Sequence, residues 1–164
     1  MIGALRDGTW MDAERLRAYG LGYVLAALAA IGSALPYILG WRDAPPADID
    51  YLSFHAASAL AQAGEAASVW NRDLHAAVQT ALQGRPGRYY AFFYPPFYLL
   101  VCLPLALLPL LPGLFAWLAA TGAACWAALR RWGGFDRPML VLLAVLSPAS
   151  VLNMLHGQNG YLTT

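Results

Sequence analysis

Two aspartates, Asp48 and Asp50, are the residues of this chain best suited to chemistry, because apolar side chains follow them at once. Tyr51, Leu52 and Phe54 come directly after the second aspartate. A carboxylate packed against such side chains is partly desolvated, which makes it a stronger proton acceptor. We therefore predict that Asp48 or Asp50 is a general base. Capping of the following helix is the alternative role for either aspartate.

The segment from Tyr89 to Pro96 is rich in aromatic residues and proline. This composition is typical of an interfacial belt, where aromatic rings lie at headgroup depth. The alternative is a platform for a sugar ring or a lipid chain, with Tyr94 as a substrate-binding residue. Arginines of the same region can bind a lipid phosphate or simply contact anionic headgroups, and Arg88 is the candidate for phosphate binding.

A cluster of polar residues follows an apolar run near residue 155, in the sequence His156-Gly157-Gln158-Asn159-Gly160. One interpretation is a helix C-terminus, with Gly157 ending the helix and the polar residues meeting water. The other is a binding site, in which His156, Gln158 and Asn159 contact substrate hydroxyls. Spacing alone does not separate the two interpretations.

Several classes of site are absent from the sequence. The chain contains no Walker loop, no glycine-rich dinucleotide fingerprint, no zinc-ligand spacing and no nucleophile elbow. Cys102 and Cys125 both fall in apolar runs, where thiols behave as small hydrophobes. We therefore predict no metal site and no cofactor. The net charge of +1 carries no nucleic-acid signal.

The composition indicates a membrane protein. Apolar residues make up 60% of the chain and charged residues 12%, and the mean hydropathy is +0.51. A soluble domain of 164 residues could not cover so much apolar surface. We predict an all-α, polytopic protein of the inner (plasma) membrane, with three to four spanning helices and membrane lipids as partners.

The first predicted span covers residues 19–40, which carry no charge and are long enough to cross about 30 Å of hydrocarbon. Arginines in residues 1–18 place that segment in the cytoplasm. A signal peptide is the alternative, although the apolar run is longer than usual for one. Residues 41–94 then form an extracytoplasmic loop. Within it we predict two short amphipathic helices over residues 50–63 and 72–83, the second capped by Asn71.

Residues 97–129 are uncharged but interrupted by prolines, too long for one crossing and slightly short for two. Because Arg130 and Arg131 favour the cytoplasm, we predict a single crossing over 112–131. Residues 95–111 are then a re-entrant or interfacial element; a hairpin of two crossings is the alternative. The next span, 138–155, is broken late by Ser147-Pro148. It returns outward, so the loop 156–164 lies on the same face as Asp50.

Taken in order, these motifs resemble the N-terminal part of glycosyltransferase family 87, a group of bacterial membrane proteins with the GT-C fold. The similarity covers about residues 19–164, and no single motif is diagnostic. The motifs are Asp50-Tyr-Leu-Ser-Phe54-His-Ala-Ala57, Ala63-Gly64, Val69-Trp70-Asn71, Phe93-Tyr94-Pro95-Pro96, Leu146-Ser147-Pro148 and His156-Gly-Gln-Asn-Gly-Tyr-Leu-Thr163. Trp70-Asn71 stands where the family has Tyr-Asp.

The resemblance implies transfer of a hexose, typically mannose, from a polyprenyl-phosphate donor to a lipid or glycan acceptor outside the cytoplasm. In GT-C enzymes an acidic residue of the first outer loop is the proposed general base. Asp50 is the matching position here, with Asp48 in reserve. The resemblance also implies that this sequence is the N-terminal fragment of a longer enzyme.

The alternative function is a non-catalytic membrane protein, such as an assembly partner, a transporter piece or an inactive fragment. Ion-coupled transport usually requires ionisable groups within the spans, and the spans 19–40, 97–129 and 138–155 contain no Asp, Glu, Lys or Arg. Continuation of the reading frame into further apolar spans would favour the enzyme.

Overall fold

The computed structural model describes residues 13–41, 45–133, 145 and 147–163, and within them every regular element is a helix. The all-α class is therefore confirmed. Two 3-10 helices, Ala66–Trp70 and Leu105–Leu107, accompany the α-helices. The α-helices are α1 (Ala13–Ile38), α2 (Tyr51–Gln62), α3 (Arg72–Gln83), α4 (Tyr98–Cys102), α5 (Leu110–Gly133), α6 (Pro148–His156) and α7 (Gly160–Thr163).

Two of these helices, α1 and α5, are long and apolar enough to cross a membrane, fewer than the three to four predicted. The qualifying stretches are Arg17–Ile38 and Leu110–Arg131. By the same criterion α1 also qualifies as a signal sequence, because it lies near the N-terminus. Most of the predicted span 138–155 before Ser147 lies outside the described residues, and α6 alone is too short to cross.

The first helix begins earlier than predicted, since residues 13–18 are already helical. Alanine, leucine, glutamate and arginine all favour helix, so the polar residues that precede the apolar run extend the same helix. The helix ends before Gly40, whose positive φ of 71° lets the chain reverse. The Ala47 N–H then donates to the Ile38 carbonyl at 2.8 Å, which ties the following loop to the end of α1.

Residues 95–111 form two short helical pieces, α4 and the 3-10 helix Leu105–Leu107. Pro104 separates the two, because it has no N–H to continue the hydrogen bonds of α4. The Ser58 hydroxyl of α2 binds a backbone group on each side of this break. It donates to the Leu103 carbonyl (2.8 Å) and accepts from the Ala106 N–H (3.0 Å). Such a broken segment is typical of a re-entrant or interfacial element, and its depth in a bilayer stays a prediction.

Helix α2 is the centre of the fold, and it is not the amphipathic surface helix predicted over 50–63. It is buried on nearly all sides, because α3, α4, α5 and both 3-10 helices pack around it. The Phe54 ring lies within 6.4 Å, centroid to centroid, of four other aromatic rings. These rings belong to Phe92, Tyr94, Tyr98 and Trp117. These four rings come from three separate segments of the chain. The periodicity of α2 alone therefore does not reveal that its sides are covered.

Helix α3 covers the predicted range 72–83, and Asn71 caps it as predicted. The Asn71 side chain accepts hydrogen bonds from the N–H groups of Asp73 and Leu74, at 3.1 and 3.2 Å. The inward face is nevertheless polar. His75, Gln79 and Gln83 are buried, whereas Leu74 is 48% exposed.

The polar face of α3 is buried because it satisfies backbone groups of irregular segments. The His75 Nε2 donates to the Ser53 carbonyl at 3.1 Å, and the Gln83 amide donates to the Pro46 carbonyl at 3.1 Å. The Gln79 amide binds both backbone groups of Tyr90, donating to its carbonyl at 2.6 Å and accepting from its N–H at 3.0 Å. Buried backbone groups outside regular elements need such partners.

Two buried histidines make the stability of this fold sensitive to pH. Burial lowers the pKa of His55 and of His75 from the ordinary value of 6.5, although each ring donates to a backbone carbonyl. The unfolded chain therefore binds more protons than the folded chain just below pH 6.5. Stability is full above that value and is lost as the pH falls toward the lowered values.

We expect the midpoint of thermal unfolding, followed by circular dichroism, to be constant above about pH 7 and to fall on acidification toward about pH 5. His75→Gln should weaken this dependence, because the titrating group is removed. His156→Gln serves as the matched control and should leave the dependence intact, because His156 is 53% exposed. A midpoint that rises on acidification would contradict the assignment.

Helix α6 begins where the sequence predicts a break, at Ser147-Pro148. Ser147 caps the helix by accepting from the Ser150 N–H at 3.2 Å, and Pro148 occupies the first turn, where its missing N–H costs nothing. The helix packs on α1 through Val151 and Ala27. Ile38 at the end of α1, Leu114 near the start of α5 and Leu155 near the end of α6 pack in the same core as α2. The direction in which these helices cross a membrane stays a prediction.

Candidate functional site

The turn that ends α6 is seated on the first residue of α2. Gly157 has a φ of +60°, and a Cβ at this position would lie 2.6 Å from the Tyr51 Cβ and 3.0 Å from the Leu114 Cδ1. Both the backbone conformation and the close approach require glycine here. The prediction that Gly157 ends the helix is confirmed, and the turn also packs against a distant helix.

This packing brings the predicted base into contact with the polar turn. The Gln158 Nε2 donates to the Asp50 Oδ2 at 2.5 Å, and the His156 Nδ1 lies 3.8 Å from the same oxygen. Asp50 occupies the N-cap position of α2, but its side chain makes no capping hydrogen bond. The carboxylate, 37% exposed, is thus engaged by the turn rather than by its own helix.

Asp50 and Gln158 line an open cleft of about 550 Å³, and the rest of its wall comes from α2 and from the aromatic segment. The remaining lining residues are Ser53, Phe54, Tyr89, Tyr90, Ala91, Phe93 and Tyr94. One side of the cleft is therefore polar and the other is aromatic. A cavity of this character suits a ligand with hydroxyl groups on an apolar ring face.

Tyr94 and Asn159, predicted separately as substrate-binding residues, are hydrogen-bonded to each other. The Tyr94 hydroxyl donates to the Asn159 Oδ1 at 3.2 Å, and its ring stacks on Tyr98 with centroids 4.5 Å apart. Burial raises the pKa of Tyr94, and the negative charge of Asp50 raises it further. The phenol is therefore neutral at physiological pH and remains a hydrogen-bond donor.

Asp48 and Arg88 lie beside the cleft without lining it. The Asp48 Oδ1 accepts from the backbone N–H of Arg88 at 3.1 Å, and the Asp48 carbonyl accepts from the Tyr90 hydroxyl at 2.6 Å. Burial, with the charge of Asp48 adding to it, raises the pKa of Tyr90 to about 12. Asp48 thus holds the loop that carries the aromatic wall. The side chain of Arg88 is exposed and makes no contact with Asp50.

Tyr89 and Tyr90, which form part of the cleft wall, belong to the segment predicted as an interfacial belt or a sugar platform. Gln79, which fixes the backbone of Tyr90, is missing from the sequence predictions. Outside the cleft, the Arg72 guanidinium lies 5.7 Å from the centre of the Tyr89 ring. The sequence signal for Gln79 is the i, i+4, i+8 spacing of His75, Gln79 and Gln83, which places three polar side chains on one face of α3. The prediction of an amphipathic helix took the apolar face as the buried one. Among the residues that the structure describes, no group of three His, Cys, Asp or Glu side chains could hold a metal ion.

Comparison with known proteins gives one family match. Residues 92–164 match the model of glycosyltransferase family 87. No curated protein and no solved structure matches the chain significantly. The matched region contains Tyr94 and the turn with His156, Gln158 and Asn159, whereas Asp50 lies before it. The part of the chain from Phe92 onward is thus similar to glycosyltransferase family 87, as the ordered motifs predicted, and the match supports a glycosyltransferase.

Proposed function

We propose that this protein is a membrane glycosyltransferase that transfers a hexose, mannose in the typical case, from a polyprenyl-phosphate donor to a lipid or glycan acceptor. Asp50 is the general base. The reaction takes place on the extracytoplasmic face of the inner (plasma) membrane, in a multi-pass protein that includes α1 and α5 among its spans. No nucleotide, metal or nucleic acid is part of the proposal.

One observation carries the proposal: the carboxylate of Asp50 meets Gln158 at the wall of an open cleft. The family match contains Gln158 but not Asp50, so this contact joins the matched region to a segment that lies outside it. The aromatic wall of this cleft adds support, because sugar rings pack their C–H faces on aromatic side chains. Tyr94 and Asn159 extend the polar edge on the side of Gln158.

The chemistry is a direct displacement at the anomeric carbon. The acceptor hydroxyl gives its proton to Asp50 as its oxygen forms a bond to that carbon. The bond between the anomeric carbon and the donor phosphate oxygen breaks, its electron pair leaves with the polyprenyl phosphate, and the configuration inverts. The phosphate is already a good leaving group, so the protein supplies a base, positioning and a cation. Arg88 is the candidate cation, at the outer edge of the loop.

The location follows from the expected topology. Helix α1 leads outward from a cytoplasmic N-terminus, and α5 leads back to Arg130 and Arg131 on the cytoplasmic side. Asp50 lies between the two along the chain, at the start of α2. Both helices carry large exposed apolar side chains, such as Leu25 and Phe115, which suits contact with lipid tails. The donor lipid and the acceptor then reach the cleft from the membrane surface.

A donor comparison tests the proposed function. Membranes that contain the intact protein are supplied with radiolabelled mannosyl-phospho-polyprenol or with the corresponding nucleotide sugar, each with lipid extract as acceptor. We expect label in the acceptor fraction from the polyprenyl donor only. Transfer from the nucleotide sugar alone, with synthesis of polyprenyl-linked sugar blocked, would contradict the donor class. No transfer from either donor would favour the non-catalytic alternative.

A further inference from the structure

We infer that Gln158 is a positioning residue for Asp50, and that its role is to orient the base rather than to bind the sugar. This inference rests on the proposed function and deepens it. It also revises the sequence-based expectation that Gln158 contacts substrate hydroxyls. Its basis is the contact between two residues that lie 108 positions apart in the chain.

The hydrogen bond from Gln158 occupies only one of the two carboxylate oxygens of Asp50. The amide nitrogen of Gln158 approaches the Asp50 Oδ2, which is also the oxygen nearest His156. No group of the described residues donates to the other carboxylate oxygen, Oδ1, so this oxygen remains available to an acceptor hydroxyl. Because one donor fixes the rotation of the carboxylate group, the free oxygen has a defined direction within the cleft.

The chemical type of the partner matters as much as its position. A neutral amide orients a carboxylate without placing a positive charge beside it. An arginine or lysine at this position would stabilise the ionised carboxylate strongly and so make it a weaker base. A glutamate would repel Asp50. Glutamine thus provides orientation without adding a charge at this position.

The backbone of Gln158 is itself fixed, which a positioning role requires. The Gln158 N–H donates to the Asn153 carbonyl at 3.1 Å, and the Gly157 N–H donates to the Met154 carbonyl at 3.3 Å. These hydrogen bonds satisfy carbonyl groups in the last turn of α6 and fix the backbone that follows it. The contact of Gly157 with Tyr51 then sets the turn against the residue that directly follows Asp50. The side chain of Gln158 therefore starts from a rigid support.

The test compares Gln158→Ala and Gln158→Glu with the wild type in the intact protein, with mannosyl-phospho-polyprenol as the donor. Removal of a hydrogen bond that orients a base should lower kcat by roughly 10- to 100-fold and leave the KM of both substrates within about twofold. Gln158→Glu should be at least as impaired. The matched control is Gln62→Ala, because the Gln62 amide donates to the Leu103 carbonyl at 2.6 Å, away from the cleft. Its kcat should be unchanged.

A raised KM with an unchanged kcat would overturn the inference, because it would show that Gln158 binds substrate. Unchanged kinetics in Gln158→Ala would overturn it as well. If the wild type transfers no sugar, the proposed function fails, and the contact is tested by a double-mutant cycle on thermal unfolding. Additive effects of Asp50→Ala and Gln158→Ala in that cycle would exclude the coupling, whereas a non-additive result would support it.

Discussion

Asp50→Asn should reduce kcat for sugar transfer by roughly 100- to 10,000-fold, the range that general-base catalysis supplies. Asparagine has the same shape as aspartate, but its amide cannot accept the proton of the acceptor hydroxyl. The side chain lies at the cleft wall and is 37% exposed, so the substitution removes a proton acceptor without opening a cavity. Insertion and thermal stability should stay close to those of the wild type.

The matched control for this variant is Asp73→Asn, the same chemical change at an exposed acid in the first turn of α3. Its transfer rate should equal that of the wild type. Asp48→Ala should act differently from both, because it removes the oxygen that accepts from the backbone N–H of Arg88. We expect a moderate loss of activity together with lower stability. Full transfer by Asp50→Asn would remove Asp50 from the mechanism.

Gly157→Ala should be the most damaging change outside the carboxylate itself. Alanine in a left-handed backbone conformation costs about 1–2 kcal/mol, and overpacking against neighbours that cannot move typically costs about 1–3 kcal/mol more. The nearest atom is the Tyr51 Cβ, which is attached directly to the backbone of α2. The turn must therefore shift, and Gln158 moves away from Asp50. We expect kcat to fall by roughly 10- to 100-fold, with a lower unfolding midpoint.

Gly84→Ala separates the cost of backbone strain from the cost of the close contact with Tyr51. Gly84 also has a positive φ, 72°, but a Cβ there would meet no atom within 4 Å. It should therefore show only the cost of backbone strain, as a small fall in the unfolding midpoint with normal kcat. Equal kinetic losses in both variants would show that strain alone matters and that the contact with Tyr51 has no role. Steady-state transfer rates and thermal unfolding of both variants provide the comparison.

Local signals in the sequence predicted the helices and several of their ends. Asn71, Ser147-Pro148 and Gly157 act through bonds or dihedral angles within a few residues, so their types are sufficient to identify them. The apolar runs of α1 and α5 are likewise properties of single segments. The ordered motifs also indicated the family that residues 92–164 match.

The tertiary structure alone decided which face of each short helix is buried and which residues form one site. α2 is surrounded because five other elements reach it, and α3 turns polar side chains inward because the backbone near Ser53 and Tyr90 needs partners. The contact of Asp50 with Gln158 depends on the docking of α6, far along the chain. Periodicity and composition describe one segment at a time, so they carry no information on which distant group completes a hydrogen bond.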